Sequence, residues 1–299
     1  SWSGKLVTNA TWDDFWLNEG FTVYFERRIM DALYGKEYAE MLTKLGLIDL
    51  KKEIEELGPQ SEDTHLKLDL EGRDPDEGMT HIAYEKGYFF LRLIEETVGR
   101  DTFDDFLKTY FEDHKWETVS TKQFLDYLNK HLLEPTDTDL NIDDWVYGPG
   151  LPDNCPVVDA ERFEEVTTTL QAYLEDEKMA GELQTEHWST HEWLYFLNEL
   201  PRDTDLEKLK ALDESYGLSE SGNSEIQAAW YELSIYSGYY KNNIDRIEQF
   251  LVEVGRRKFL TPLYKALKKN DELEKARSIY EKARPGYHSV SKKIGRAHV

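Results

Sequence analysis

The sequence is poor in the features that mark several common classes of protein. Its 299 residues include one cysteine, Cys155, so no disulfide can form within the chain. A chain without disulfides is typical of a reducing compartment, and we expect a cytoplasmic protein. No apolar run approaches the roughly 20 residues of a membrane-spanning helix. The sequence also has no Gly-rich phosphate loop and no G-x-S-x-G segment, which argues against the corresponding nucleotide-binding and serine-hydrolase sites.

Positive charge is scarce as well. The chain has 36 Lys and Arg against 60 Asp and Glu, which gives a net charge of −24. Such a chain repels the phosphates of nucleic acids and the anionic lipids of membranes, so we expect neither as a partner. The length is sufficient for about two domains with a sizeable core.

What the sequence has in abundance is helical patterning, and strand signals are weak throughout. Apolar residues recur every three to four positions, which is the period of an amphipathic helix. Thr11 is predicted as the N-cap of the first helix, and a polar, turn-rich loop is predicted at 60–78. The predicted helices are 36–57, 82–98, a helix from Asp101, Ser120 to Leu133, 161–176, 191–199, 204–215, 223–236, 243–253, 258–268 and 271–283.

A cluster of prolines and glycines between Tyr147 and Pro156 cannot be helical and predicts a domain boundary. The predicted organisation is a first domain at 1–147, a linker at 148–160 and a helical domain at 161–293. Regular helices with short turns favour an α-solenoid of the armadillo or HEAT kind for the last domain, although no fixed-period repeat is present. Residues 294–299 do not continue the preceding pattern, and we expect a non-native tail there.

The most specific motif is W-L-N-E-G at residues 16–20. With its aromatic flanks it resembles the segment after the H-E-x-x-H zinc helix of gluzincin aminopeptidases, especially those of the leukotriene-A4 hydrolase type. In that family the Glu of N-E-G is the third zinc ligand, and eighteen residues separate it from the second zinc His. Eighteen residues precede Glu19 here, so the resemblance implies that the chain begins directly after that His.

A second motif, A-Y-E-K-G at 83–87, resembles the family's P-Y-E-K-G segment. There the Tyr hydroxyl donates a hydrogen bond to the oxyanion of the tetrahedral intermediate, and Tyr84 is the matching residue. Two positions depart from the family pattern. Ala83 replaces a Pro, and Met79 replaces a Tyr, which argues against lipid-epoxide chemistry on that pocket wall but leaves the peptidase donor in place.

Two further carboxylates match family positions. Glu26 lies seven residues after Glu19 on the same helix face, where the family has a carboxylate that supports a zinc His. Asp76, in the sequence D-P-D, matches an Asp that lines the substrate channel. The alternatives are an ordinary exposed helix charge for Glu26 and a turn-forming Asp beside proline for Asp76.

The family's G-R-x-K-F motif is matched by residues 255–259. In the family its Arg and Lys bind the free carboxylate of the substrate, and the matching residues are Arg256 and Lys258. The alternative is a basic cluster at a helix start that pairs with surface acids.

One pair of histidines has metal-like spacing but lacks the rest of a zinc motif. His187 and His191 are four residues apart, yet Trp188 stands where the general-base Glu would be. We expect these histidines to be structural.

The resemblance covers nearly the whole chain and implies the following reading. The fold is all-α: the helical lobe of a thermolysin-like catalytic domain, followed by the solenoid. The function is that of a C-terminal half of a cytoplasmic zinc aminopeptidase that removes N-terminal residues from peptides.

Because two His ligands and the general base are missing, we expect this chain alone neither to hold catalytic Zn²⁺ nor to turn over substrate. Whether the parent also acts on a fatty-acid epoxide stays open. The alternative function is a non-catalytic helical scaffold that kept a peptide groove and lost its metal.

Overall fold

The computed structural model describes residues 2–289 and 291–293 and divides the chain into two units, Ser1–Ala160 and Glu161–Val299. Both units are built almost entirely of helices, which confirms the all-α fold class. The predicted tail at 294–299 lies outside the described residues. The assignment of the units to the predicted domains stays a prediction.

The first unit combines helices with a single short strand pairing. Strands β1 (Thr8–Asn9) and β2 (Thr118–Val119) run parallel, with Thr8 opposite Thr118. The helices are α1 (Trp16–Tyr34), α2 (Lys36–Leu57), α3 (Gly87–Val98), α4 (Arg100–Asp113), α5 (Thr121–Leu128), α6 (Glu134–Thr136) and α7 (Ile142–Val146).

The start of α1 is fixed by a short turn that precedes it. Thr11 caps a 3-10 turn, Trp12–Asp14, and both its N–H and its hydroxyl donate to Asp14 Oδ2, at 3.2 and 2.7 Å. The other Asp14 oxygen accepts the Thr121 N–H at 2.9 Å. Thr11 is therefore the N-cap of the turn, and α1 itself begins at Trp16.

Helix α1 and the start of α3 cross at two glycines. A Cβ on Gly20 would lie 3.0 Å from Gly87 Cα, and a Cβ on Gly87 would lie 2.9 Å from Gly20 Cα. Only glycine lets the two backbones approach this closely. Trp16 packs beside the crossing, with its ring centroid 5.7 Å from that of Phe124 and its Nε1 donating to Thr121 Oγ1 at 3.0 Å.

Two of the predicted helices contain a π-helical turn. The segment 82–98 is helical throughout, but its first turn, Ile82–Lys86, is a π-helix that continues into α3. Likewise α5 ends at Leu128 and is followed by the π-helical turn Asn129–Leu133. Such turns are rare and are found frequently at functional sites.

The loop predicted at 60–78 is held against the turn before α1. It contains two 3-10 turns, Glu62–Thr64 and Pro75–Gly78. Leu68 donates its N–H to Asp13 O at 3.1 Å, and Leu70 donates to Asp13 Oδ1 at 3.0 Å. These bonds fix the path of the loop beside the entrance to α1.

The Pro/Gly segment 148–160 packs against the first unit. Gly150 donates its N–H to Thr64 Oγ1 at 2.8 Å, and Trp145 Nε1 donates to Asn154 Oδ1 at 2.9 Å. Three of its side chains lie against the hydrophobic core, namely Leu151, Cys155 and Val158. By its contacts this segment belongs to the first unit.

The second unit stacks its helices in the manner expected for a solenoid. Helix α9 packs on α8 and α11, α11 packs on α13, and α12 packs on α14. None of the helices within the described ranges is long and apolar enough to cross a membrane. The helices are α8 (Glu161–Leu174), α9 (Thr190–Glu199), α10 (Leu206–Tyr216), α11 (Ser224–Ser237), α12 (Ile244–Glu253), α13 (Arg257–Lys269) and α14 (Leu273–Ala283).

Candidate functional site

Glu19 lies in the first turn of α1, where its side chain is half-buried. Burial raises the pKa of its carboxyl group. Within residues 2–289 and 291–293, no side chain makes a hydrogen bond or an ion pair with this carboxylate. Glu19 is therefore a carboxylate with free acceptor capacity in partly desolvated surroundings, which suits a ligand for a cation.

Tyr84 lies in the π-helical turn Ile82–Lys86, and its half-buried ring contacts Phe15 edge-on at a centroid distance of 6.0 Å. Burial raises the pKa of its phenol, and the negative charge of Glu19 raises it further, to about 12. Tyr84 therefore stays protonated at neutral pH and can donate a hydrogen bond. The helix that carries Glu19 also contacts the π-helical turn that carries Tyr84, so the fold brings these two segments together.

The Gly20–Gly87 crossing explains this proximity. Glu19 precedes one glycine directly, and Tyr84 lies three residues before the other. Because the two backbones touch at the crossing, side chains adjacent to it share one region of space. This close helix contact thus brings together residues that are far apart in sequence.

Glu26 lies on α1 nearly two turns beyond the crossing, and its side chain is 48% exposed. It forms an ion pair with Arg27 at 2.7 Å. Arg27 is buried and also pairs with Glu85 at 3.2 Å, so Glu26 is linked through one guanidinium to the neighbour of Tyr84. A role of Glu26 beside a zinc ligand stays a prediction.

Glu85 is a buried carboxylate whose pKa burial raises and Arg27 lowers in part. Its carboxylate lies over Gly46 of α2, where a Cβ would come within 2.3 Å of Glu85 Oε2. Gly46 therefore provides the space that the Glu85 side chain occupies.

Asp76 is half-buried in the 3-10 turn Pro75–Gly78, which Asp74 caps by accepting the Asp76 N–H at 3.1 Å. This turn packs against the turn Trp12–Asp14 that precedes α1. Met79 follows directly and is 38% exposed. The structure thus places Asp76 near the start of the helix that carries Glu19, and its contribution to a substrate channel stays a prediction.

Arg256 and Lys258 lie in the second unit at the start of α13, and both are exposed. Lys258 Nζ pairs with Glu225 at 2.6 Å, and each of the two cationic groups lies 5.5 Å from the centroid of the Phe259 ring. Both cationic groups therefore lie near the Phe259 ring at the surface of this unit, and the ion pair of Lys258 with an acid is what the alternative of a surface basic cluster predicts. A role of Arg256 and Lys258 in binding a substrate carboxylate stays a prediction.

The other candidates from the sequence are not brought together as a site. His187 lies in a turn before α9, with Nε2 3.2 Å from Glu165, so it does not share a helical face with His191. Burial raises the pKa of the Cys155 thiol to about 12, so Cys155 is not a thiolate at neutral pH.

Sequence reasoning missed the buried charges beside Tyr84. Arg27, Glu85 and Lys86 are all buried, although their residue types are among the least often found inside proteins. One signal was available: Glu85 and Lys86 sit between apolar residues on one side and Gly87 on the other. A charged pair in an otherwise apolar helix start indicates buried ion pairs or hydrogen bonds.

The donor set of this chain does not by itself fit a catalytic zinc ion. Such an ion takes three protein ligands, usually including imidazoles. Among the described residues, no three His, Cys, Asp or Glu side chains are grouped closely enough to hold a metal. Glu19 offers a single carboxylate, which does not hold such an ion without further ligands.

Comparison with known proteins agrees with the motifs. A sequence model described as the Peptidase family M1 domain matches residues 1–145, and one described as Leukotriene A4 hydrolase, C-terminal, matches residues 188–296. Leucine aminopeptidase 2 of Aspergillus niger is 35% identical over 97% of this chain and 48% of its own length. Leucine aminopeptidase 2 of Ajellomyces capsulatus is 32% identical over the same shares.

A solved structure of yeast LTA4 hydrolase in complex with bestatin matches 99% of this chain and 52% of its own. The TM-score of that match is 0.88 at 27% identity. The chain therefore spans about half the length of the curated relatives that it matches.

Proposed function

We propose that the chain belongs to the leukotriene A4 hydrolase type of the M1 peptidase family, whose sequence models match residues 1–145 and 188–296, and that it is the C-terminal half of a zinc aminopeptidase. The intact protein would hydrolyse the N-terminal residues of peptides in the cytoplasm. The observation that carries the proposal is the position of Glu19 and Tyr84 on two helical segments that contact each other beside the Gly20–Gly87 crossing, where the charge of Glu19 raises the pKa of Tyr84.

The proposed division of labour follows from the chemistry of each group. Glu19 would supply one of three zinc ligands, and the other two would be the histidines of an H-E-x-x-H helix that this chain lacks. Bound zinc would polarise the scissile carbonyl and activate water. Glu26, whose carboxylate is partly exposed, would support one of those histidines.

The remaining groups would act on the substrate directly. Tyr84, held neutral by burial and by Glu19, would donate a hydrogen bond to the oxyanion as negative charge develops. Asp76 would line the channel, and Arg256 with Lys258 would bind the free carboxylate of a peptide. A fatty-acid epoxide as a second substrate remains a prediction that Met79 disfavours.

The first experiment uses the chain alone. We expect zinc well below one equivalent after dialysis and no hydrolysis of leucine anilide, because one carboxylate does not hold the ion. One equivalent of zinc together with peptidase activity would contradict this part of the proposal.

The second experiment joins this chain to the N-terminal half of yeast LTA4 hydrolase, whose structure it matches closely. We expect this hybrid to bind zinc and to hydrolyse peptides. Tyr84→Phe should lower kcat by about 100-fold, as expected for the loss of one oxyanion donor. The matched control is Tyr147→Phe, since Tyr147 is 44% exposed in the same unit.

A zinc-loaded hybrid in which Tyr84→Phe keeps full activity would overturn the assigned role of Tyr84. A hybrid that binds zinc and peptide without hydrolysis would instead favour the scaffold function. Zinc content and hydrolysis are measured on the same preparation. Zinc bound without hydrolysis indicates a defect in catalysis, whereas absence of zinc indicates that the two halves have not assembled.

A further inference from the structure

Lys86 is the most deeply buried charged side chain of the first unit, with 0% of its surface exposed. Its Nζ donates to Thr64 O at 2.8 Å and to Gly148 O at 2.9 Å. Among the described residues, no carboxylate forms an ion pair with it. Burial lowers its pKa to about 7. Burying an amino group without a counter-ion costs free energy, and the hydrogen bonds to the two carbonyls offset part of this cost.

The two carbonyls belong to different segments of the chain. Thr64 lies at the start of the loop 60–78, and Gly148 opens the Pro/Gly segment. These segments also bind each other, because Thr64 Oγ1 accepts the Gly150 N–H at 2.8 Å. Three segments therefore meet at one ammonium group: the loop, the Pro/Gly segment and the turn that carries Tyr84.

The same loop extends from Thr64 to Asp76. Between these residues it is fixed at Leu68 and Leu70, which donate their N–H groups to Asp13. A displacement at Thr64 would therefore strain these two bonds first and would reach Asp76 only if they break. Lys86 itself lies two residues from Tyr84 in the π-helical turn.

We propose that Lys86 is a positioning residue, which holds the Asp76 loop and the segment Gly148–Gly150 against the turn that carries Tyr84. Its value to catalysis rests on the proposed function of Tyr84 and Asp76. The contact of Lys86 with the two segments does not depend on that proposed function. An experiment can therefore contradict the structural role of Lys86 and its catalytic value independently. Lys86 contacts no substrate and acts through backbone carbonyls.

The test compares Lys86→Met with Lys130→Met in the full chain. Lys130 is an exposed lysine of the same unit and serves as the matched control. Hydrogen exchange is followed at the Gly150 amide and at the amides of Leu68 and Leu70. Lys86→Met removes the two charged bonds while keeping the apolar stem, so we expect exchange at least about tenfold faster at these amides only. Unchanged exchange in a folded Lys86→Met chain would overturn the proposal.

The functional part is measured in the hybrid with yeast LTA4 hydrolase. We expect Lys86→Met to raise KM several-fold and to lower kcat less than Tyr84→Phe does, because it loosens the loop and leaves the phenol in place. Faster exchange with unchanged KM and kcat would show a purely structural contact and overturn the positioning role. An inactive hybrid would count against the proposed function, and the exchange result would still decide whether Lys86 holds the segments.

Thr64→Val provides a second variant if Lys86→Met fails to fold. It removes only the hydroxyl that accepts from Gly150 and keeps the carbonyl bonded to Lys86. We expect faster exchange at Gly150, little change at Leu68, and a smaller rise in KM. Because both Lys86 bonds remain in Thr64→Val, faster exchange at Leu68 as well as at Gly150 would show that the Thr64 hydroxyl holds the segments and would contradict the role of Lys86.

Discussion

The two units differ in how many charged side chains they bury. Among the described residues, the first unit buries five of them, namely Asp14, Arg27, Glu40, Glu85 and Lys86. The second unit buries one, Glu192, which pairs with Arg162 at 2.7 Å. Its candidate binding residues, Arg256 and Lys258, are at the surface.

This difference teaches how each candidate site is built. In the first unit three of the buried charges, Arg27, Glu85 and Lys86, lie on the two helical segments that carry Glu19 and Tyr84, so the candidate site adjoins the core. In the second unit the basic pair is attached to a helix start whose packing does not depend on it. Substitutions in the first unit should therefore change stability, and equivalent substitutions in the second should not.

The largest expected effect is that of Arg27→Met. It leaves Glu85 buried without its cation, which typically costs about 3–5 kcal/mol of unfolding free energy. Arg256→Met, the same change at an exposed arginine, should stay within about 0.5 kcal/mol. Urea denaturation of both variants measures the contrast. Equal losses of unfolding free energy at the two positions would contradict the difference proposed between the units.

A second substitution addresses the crossing itself. Gly87→Ala would place a Cβ 2.9 Å from the Gly20 backbone, and forcing the helices apart should cost about 1–3 kcal/mol. Gly222→Ala is the control, because no atom lies within 4 Å of its added Cβ. Thermal unfolding should show a lower Tm for Gly87→Ala alone. A fully stable Gly87→Ala chain would mean that the contact is not tight.

A pH effect of intermediate size should come from Lys86. Its pKa falls from an ordinary value of 10.5 to about 7 on folding, so between these values the unfolded chain binds the extra proton. Stability from this group therefore rises as the pH is raised from about 7 towards 10, by at most about 1.4 kcal/mol per pH unit.

Denaturation curves at several pH values test this sign. Lys86→Met should remove that part of the rise, whereas Lys258→Met at the surface of the second unit should retain it. Parallel pH profiles for the native chain and Lys86→Met would show that the lysine titrates normally.

The smallest expected effect concerns Tyr84. Glu19→Gln removes the second cause of its raised pKa and should move it below about 12, while burial keeps it above the ordinary 10. Titration of ¹³C-labelled tyrosines by NMR measures the shift. Tyr231 of the second unit, whose pKa burial also raises to about 12, should not respond. An unmoved Tyr84 signal would show that Glu19 lies too far away to act on it.

Parts of the fold are predictable because their signals are local. The limits of α2, 36 and 57, follow from Gly35 and Gly58, which take φ values of +88° and +94° that other residues rarely adopt. Ser120 similarly caps α5 by accepting the Gln123 N–H at 3.3 Å. Such boundaries depend on a few neighbouring residues and can be read without the rest of the chain.

The candidate site is only partly predictable. Glu19, Tyr84, Arg256 and Lys258 are found from motifs, but the crossing and the buried charges depend on contacts between distant segments. Lys86, for example, bonds to carbonyls 22 and 62 residues away. Thr11 is an N-cap as predicted, but of the short turn Trp12–Asp14, and Asp14 of this turn also accepts a hydrogen bond from Thr121, 107 residues away. Apolar spacing carries no information on such partners.

The single cysteine allows the opening of the Pro/Gly segment to be measured by the rate of thiol labelling. Cys155 belongs to the Pro/Gly segment and packs half-buried against the hydrophobic core of the first unit. Burial raises the pKa of its thiol to about 12. Only the thiolate attacks a disulfide reagent, so labelling of the closed segment is slow. Each opening of the segment exposes the thiol and restores its ordinary reactivity. The rate of labelling therefore counts how often this one stretch of chain comes away from the first unit.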